Sequence, residues 1–315
     1  MEEQGKVVHL SGYQARDLEV VDYKMYQLGE TGLSFRGPEA PTLEKGQYFT
    51  CIGAAQTFGC FCDSPYPALL SQKLGIPNLN LGYGGAGPEF FLKQKQLHTY
   101  LNNSRFVILQ AMSGRSQSNS MFDCDGLELL TRRSDGKKIG ANEAYQDLAA
   151  GSEWLKNLPP KTISAAIARR LGAQRFKDVV NETRRNWVDS LVSLCNEIEV
   201  PVIFFWFSKR GPDYADNFKS VRTIFSEFPQ MVNGPMVRQA AATADHYVEC
   251  VSERGSPQPL FSRHTGEPCT VDTSNDRPDL GKGKPWTHNT YYPSPEMQQD
   301  AAEALLPACE KILSL

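Results

Sequence analysis

The chain has 315 residues, enough for one large domain or two small ones, and long enough to bury a core without a metal or disulfide staple. Hydrophobic residues make up 40% and charged residues 22%, which is ordinary globular usage, and a net charge of -3 argues against a general nucleic-acid binder. No apolar run approaches the ~20 residues that span a bilayer, and the start, MEEQGKVVHL, lacks the basic-then-apolar layout of a signal peptide; the expectation is a soluble, cytoplasmic protein without a membrane partner.

In chain order, residues 1–46 form an N-terminal cover. It alternates apolar and polar residues around Tyr23, Tyr26 and Phe35 up to Pro41, the pattern of a short hairpin or an extended segment. Gln47 to Gly53 is a β-rich apolar run ending in glycine. Pro67 to Leu74 has helical spacing with proline at its start, Asn78 to Gly82 is a short strand, and Pro88 to Tyr100 is a second proline-led helix. Arg105 to Met112 is a continuous apolar strand of the kind buried on both faces. A helical insertion is expected over about 125–198; its strongest part is Thr162 to Ile198, punctuated by Leu158-Pro159-Pro160 and interrupted near Gly172. Val200 to Ser208 is the strongest strand. Pro235 to Ala244 follows as a helix, His246 to Val251 as a strand, and Pro295 to Leu313 as the closing helix, while Gly266 to Lys284 reads as a long loop. Alternation of this kind predicts a single α/β domain, a three-layer, flavodoxin-like parallel sheet with helices on both faces.

Eight cysteines are too sparse for a disulfide scaffold, and Cys60-x-Cys62 has no second pair at zinc spacing, so no metal is expected. Cys51, Cys195, Cys250 and Cys309 sit among apolar neighbours and read as buried.

Ligands of an open parallel sheet bind beyond the carboxyl ends of its strands. That selects Gly53 to Asp63, Gly82 to Glu89, Ser113 to Asn119 and Ser208 to Arg210, joined by Trp286 to Ser294. Arg115 follows the third strand, Lys209 and Arg210 follow the fourth, and Gln56 and Thr57 lie on the first loop. Together these describe a pocket for an anionic ligand, since arginine grips phosphate or sulfate in a bidentate manner. His288, in KPWTHNT, is the leading base candidate and Glu89, at a helix start, the second. His246 reads as structural, His264 as surface, and His9 and His98 carry no indication of a role. Trp206 and Trp286 could stack on a base, with core packing the plainer reading.

IGAAQTFG, YPALLSQKLG, NLGYGGAG and YYPSPEM, in that order, resemble the SGNH, or GDSL-like, esterase superfamily. The resemblance implies the three-layer fold. It keeps Gly53, Thr57, Gly59, Asn80, Gly82 and Gly85, but the family nucleophile falls on Ala55, its histidine on Tyr292 and that histidine's aspartate on Asn289. Ser113-Gly114-Arg115 stands where the third family block would be. The phrases from Phe49 to Phe91 and FVILQAMSGRSQSNS also resemble bacterial proteins labelled sulfotransferases. That second resemblance implies sulfuryl transfer from 3′-phosphoadenosine 5′-phosphosulfate (PAPS) to the hydroxyl of a small molecule. Gly53, Gln56, Thr57, Gly59, Ser113, Arg115, Ser116, Lys209 and Arg210 would hold the donor, with His288 or Glu89 as base. Two alternatives stand beside it: an esterase or acyltransferase with a relocated nucleophile, Ser113 or Cys60, and a non-catalytic sugar- or anion-binding protein on a hydrolase scaffold stripped of its chemistry.

Overall fold

Five apolar runs form the five strands of one parallel sheet: β1 (Phe49–Gly53), β2 (Asn78–Gly82), β3 (Val107–Gln110), β4 (Val202–Ser208) and β5 (His246–Val251). The computed structural model describes residues 12–39, 43–150, 163–214, 216–218, 220–272 and 285–314. The strand order is β5-β4-β3-β1-β2, all parallel, which is the flavodoxin-like order.

Successive side chains of a strand face opposite sides, so the buried strands feed two cores. Ile52, Leu109, Phe204 and Trp206 join one, and Cys51, Ile108, Ile203, Phe205 and Phe207 join the other. The first core is covered by α3 (Pro88–Lys93), α6 (Ile163–Glu197) and α8 (Gly234–Ala241). The second is covered by α2 (Tyr66–Leu74) and α9 (Pro295–Leu313). A one-turn helix, α1 (Ala55–Phe58), follows β1 directly. The three-layer α/β/α architecture is as the resemblance to SGNH-like proteins implies.

Helix α6 packs through a stripe of buried residues, Phe176, Val180, Thr183, Trp187, Leu191 and Leu194, spaced three or four apart. It runs unbroken through Gly172: packing along this stripe outweighs the roughly 1 kcal/mol that glycine costs in a helix interior. The proline-led helix expected over Pro88 to Tyr100 ends instead at Lys93, because Gln94 leaves the helical region (φ -86°, ψ 66°), and α4 (His98–Asn103) resumes after a 3-10 turn. The N-terminal cover does contain a small hairpin, with Tyr26 opposite Phe35.

The insertion opens with strands rather than helices. Phe122–Asp123, Leu129–Arg132 and Lys138–Gly140 form an antiparallel sheet, followed by α5 (Ala141–Ala150). They share a separate core, including Phe122, Leu130, Ile139, Tyr145, Phe176 and Phe225, the last from α7 (Val221–Phe225). Of the expected loop over Gly266 to Lys284, residues 266–272 carry bridges Phe261–Pro268 and Val271–Trp286; residues 273–284, like His9 and Leu158-Pro159-Pro160, lie outside the described residues. No helix among the described residues is long and apolar enough to cross a membrane. Cys51, Cys195, Cys250 and Cys309 are buried and unbridged, as expected.

Candidate functional site

In a sheet of this order the chain winds one way from β1 to β2 and the other way from β1 to β3, which leaves a crevice at the carboxyl ends of β1 and β3. Two cavities meet there. One, of about 80 Å³, lies between the Ala54–Ala55 turn after β1, Gly84–Gly85 after β2, and Ser113, Arg115 and Ser116 after β3, with Glu128 from the insertion. The other, of about 210 Å³, is walled by Phe207, Ser208, Lys209, Glu227 and Met297. Gln56, Phe228 and Tyr291 line both, so the two are lobes of one cleft.

The turn beneath the first lobe is fixed from several sides. Gln110 Oε1, at the end of β3, accepts from the Ala54 amide (3.0 Å) and the Thr57 hydroxyl (3.2 Å). Asn80 Nδ2 donates to the Thr57 carbonyl (2.9 Å). Gly82 lets β2 pass against α1, since a Cβ there would stand 2.2 Å from the Phe58 amide nitrogen. Arg36 reaches in from the N-terminal cover and donates to the carbonyls of Phe58 (3.2 Å), Gly59 (2.7 Å), Cys62 (2.6 Å) and Asp63 (2.7 Å). It is 4% exposed, and burial depresses its pKa below the usual guanidinium value.

The groups that ester hydrolysis requires are missing from this turn. Ala55 has no nucleophilic atom. Tyr292 lines the first lobe, its ring 5.9 Å from that of Phe61 and from the Arg16 guanidinium. Asn289 is fully buried. Its Oδ1 accepts from the amides of Tyr291 (3.1 Å) and Tyr292 (2.9 Å), and its Nδ2 donates to Gln258 Oε1 (2.9 Å) and the Tyr292 carbonyl (3.0 Å).

Of the expected site residues, Gln56, Ser113, Arg115, Ser116 and Lys209 are gathered in the cleft. The others are not. Gly53 and Thr57 pack beneath the turn, where Thr57 Oγ1 meets Tyr66 OH at 3.0 Å. Gly59 ends α1 at φ 82° and serves the backbone. Arg210 spends its guanidinium on the carbonyls of Gly211 (3.0 Å), Glu227 (3.3 Å), Pro229 (2.8 Å) and Val232 (2.8 Å), and burial lowers its pKa to about 10. Glu89 accepts from Gln117 Nε2, the Ser118 amide and the Ser118 hydroxyl, and pairs with Lys93 at 2.8 Å. It braces the loop after β3 and is not a free base. His288 lies exposed on the small Gln258–Pro259/His288–Asn289 ladder, with Nδ1 against the Thr287 hydroxyl, and lines neither lobe. Neither expected base therefore reaches the cleft. Cys60 is fully buried and its thiol is pushed well above the usual range by desolvation, which leaves it inert as a relocated nucleophile. Trp206 is a core residue, not a stacking platform. Among the described residues no three His, Cys, Asp or Glu side chains group as metal ligands.

Several residues of the cleft lining carry buried polar atoms. Among the described residues, Gln56 Oε1, Arg115 Nε, Ser116 Oγ and Gln230 Oε1 have no hydrogen-bond partner, though their residues are 6% exposed or less. Arg115 uses Nη2 on Glu128 Oε2 (2.7 Å), and Gln230 uses Nε2 on Tyr291 OH (3.0 Å). Ser113 accepts from the Arg115 amide at 3.3 Å. Lys209 donates to Ser256 Oγ (2.8 Å) and the Thr290 carbonyl (2.7 Å), and burial lowers its pKa. Gln230 and Glu128 were not among the expected residues. They come from a loop after α7 and from the insertion, and nothing in their local sequence announces the cleft.

A comparison with solved structures finds an extracellular lipase from Streptomyces rimosus, 14% identical over 85% of this chain and 100% of that one, TM-score 0.39. It also finds a phospholipase A1 from Streptomyces albidoflavus, 14% identical over 84% and 99%, TM-score 0.41, and an acetylxylan esterase from Geobacillus stearothermophilus, 14% identical over 84% and 94%, TM-score 0.37. A comparison with curated proteins finds no match. The expectation of a PAPS-dependent sulfotransferase is corrected: the similar structures found are esterases and lipases, a likeness of fold alone, and the cleft does not gather the donor and base residues that sulfuryl transfer was expected to use. The site agrees with that correction: Arg210 is consumed by carbonyls, Gly53, Thr57 and Gly59 line neither lobe, and neither expected base is in place. A family model described as "Domain of unknown function (DUF6473)" matches residues 12–135 and 165–275, more than half of the chain, and the protein belongs to that family.

Proposed function

We propose that this protein binds a small polyhydroxylated molecule, a sugar or polyol, in the two-lobed cleft, on an SGNH-like scaffold without the serine–histidine chemistry of ester hydrolysis. The observation that carries the reading is that four residues lining the cleft, Gln56, Arg115, Ser116 and Gln230, each keep a buried side-chain polar atom without a hydrogen-bond partner. A buried polar atom left unpaired costs roughly 1–3 kcal/mol, and a ligand that pairs it recovers that cost. The set mixes acceptors, a donor and a hydroxyl, and hydroxyl groups are the ligand chemistry that both donates and accepts. The test is thermal shift and calorimetry with monosaccharides and polyols on the wild type and on Arg115→Ala. Stabilisation by at least one of them, lost in the variant, is expected. No shift with any of them overturns the reading.

A second reading, ester hydrolysis with Ser113 as nucleophile, has one observation in its favour: Ser113 stands in the first lobe beside Arg115. It lacks a base, since no described histidine lines either lobe. Turnover of a simple aryl acetate that disappears in Ser113→Ala would establish it in place of the first.

A further inference from the structure

We infer that the ligand is an acidic sugar or sugar acid, its carboxylate held by Lys209 in the larger lobe while its hydroxyls fill the smaller one; this rests on the hydroxyl-binding reading of the cleft. Lys209 extends from the carboxyl end of β4 into the wall of the 210 Å³ lobe. An ammonium has three donors, and two of its own go to neutral oxygens, Ser256 Oγ and the Thr290 carbonyl. Among the described residues no carboxylate forms an ion pair with it; Glu227 and Glu253 act on it only through space. The third donor is left to the cavity, with a charge that these two carboxylates offset only through space. Unlike Arg115, which pairs with Glu128 at 2.7 Å, Lys209 forms no ion pair among the described residues.

The surroundings favour a carboxylate over a larger anion. Phe207, Phe228 and Met297 line the same lobe, and in such apolar surroundings a compact, charge-assisted hydrogen bond is stronger than in water. A single point-charge donor suits one carboxylate, whereas a phosphate or sulfate would call for the several donors of an arginine fork, and Arg210 is occupied by four carbonyls. Glu227 stands exposed in the same lobe and sets a limit on how much negative charge can enter.

The experiment compares a uronate with its parent aldose by calorimetry at low salt, using the full chain. The uronate is expected to bind about tenfold more tightly, the worth of one charge-assisted hydrogen bond in a partly buried site. Lys209→Met brings the ratio of the two affinities to about one, and Glu227→Gln raises it. Lys209→Gln, which keeps polarity without charge on a side chain one atom shorter, gives the same collapse and guards against a folding failure, checked by an unchanged melting temperature. If the aldose binds as well as the uronate, the carboxylate assignment is overturned while the hydroxyl-binding reading stands. If neither binds, both fall.

Discussion

Arg36 offers the sharpest test of how the cleft is held in place. Its guanidinium donates four hydrogen bonds to main-chain carbonyls between Phe58 and Asp63, at 2.6–3.2 Å, from a position 4% exposed. Hydrogen bonds to a charged group are worth roughly 1.5–3 kcal/mol each, so four give a gross stabilisation of about 6–12 kcal/mol. Burying the cation costs several kcal/mol against that, and the lowered pKa of Arg36 has burial as its largest cause. Truncation removes the gain and the cost together but takes the side-chain donor from four carbonyls, of which that of Gly59 keeps the Cys62 amide and that of Asp63 belongs to an exposed residue. Arg36→Ala is therefore expected to lose about 3–5 kcal/mol, a large share of a total stability of roughly 5–15 kcal/mol. Arg36→Lys keeps the charge but has three donors on one atom, cannot span the four acceptors, and is expected to fall between the two. Urea unfolding followed by tryptophan fluorescence reads both. An Arg36→Ala variant within about 1 kcal/mol of wild type at an unchanged m-value would refute the clamp.

Three further outcomes follow from packing and burial. Gly82→Ala is expected to cost about 1–3 kcal/mol and to weaken ligand binding, because the three atoms nearest the new Cβ are main-chain atoms of Thr57 and Phe58, at 2.2–2.7 Å, and none of them can swing away; a variant as stable as wild type in urea would contradict it. Burial pushes the thiols of Cys62, Cys124 and Cys250 up to about 11, and that of Cys309 up to about 12, from 9.0. The folded state therefore holds protons that the unfolded chain releases. Stability is fully present below about pH 9, falls as pH rises toward 11–12, and levels off beyond. Denaturant midpoints measured from pH 8 to 11.5 check the direction, and a rise over that window would refute it. In a native thiol titration Cys269, the one cysteine not buried, is expected to react first, with the other seven reacting only on unfolding.

The inner strands were legible because they are buried on both faces and so write themselves as apolar runs; VIFFWFS is the plainest case. The strands of the insertion were not legible. Leu129–Arg132 is two intermediate residues, one buried and one exposed, a pattern that polar sequence hides. The cleft was half legible. The rule that ligands gather beyond strand ends picked out Gln56, Ser113, Arg115, Ser116 and Lys209. It could not tell a cation facing a cavity from one facing carbonyls, and Arg210, next to Lys209, is the second kind. His288 failed for a related reason: a position a few residues ahead of the closing helix says nothing about which way a two-residue ladder turns its side chain.

The network around Asn289 bears on how such a pocket could acquire new chemistry. An amide can donate to Gln258 and to the Tyr292 carbonyl while accepting from two main-chain N–H groups; a carboxylate in its place would keep the two acceptances and set its other oxygen against two lone pairs. Serine at 55 and histidine at 292 would therefore not be enough to make a working triad. Aspartate at 289 would first have to be accommodated by a change at Gln258, and a histidine at 292 would surrender the ring contacts that Tyr292 makes with Phe61 and Arg16. Each single step is worse than staying put, so an engineer seeking activity would find the loop at 289–292 a valley rather than a slope, and would do better to begin from Ser113.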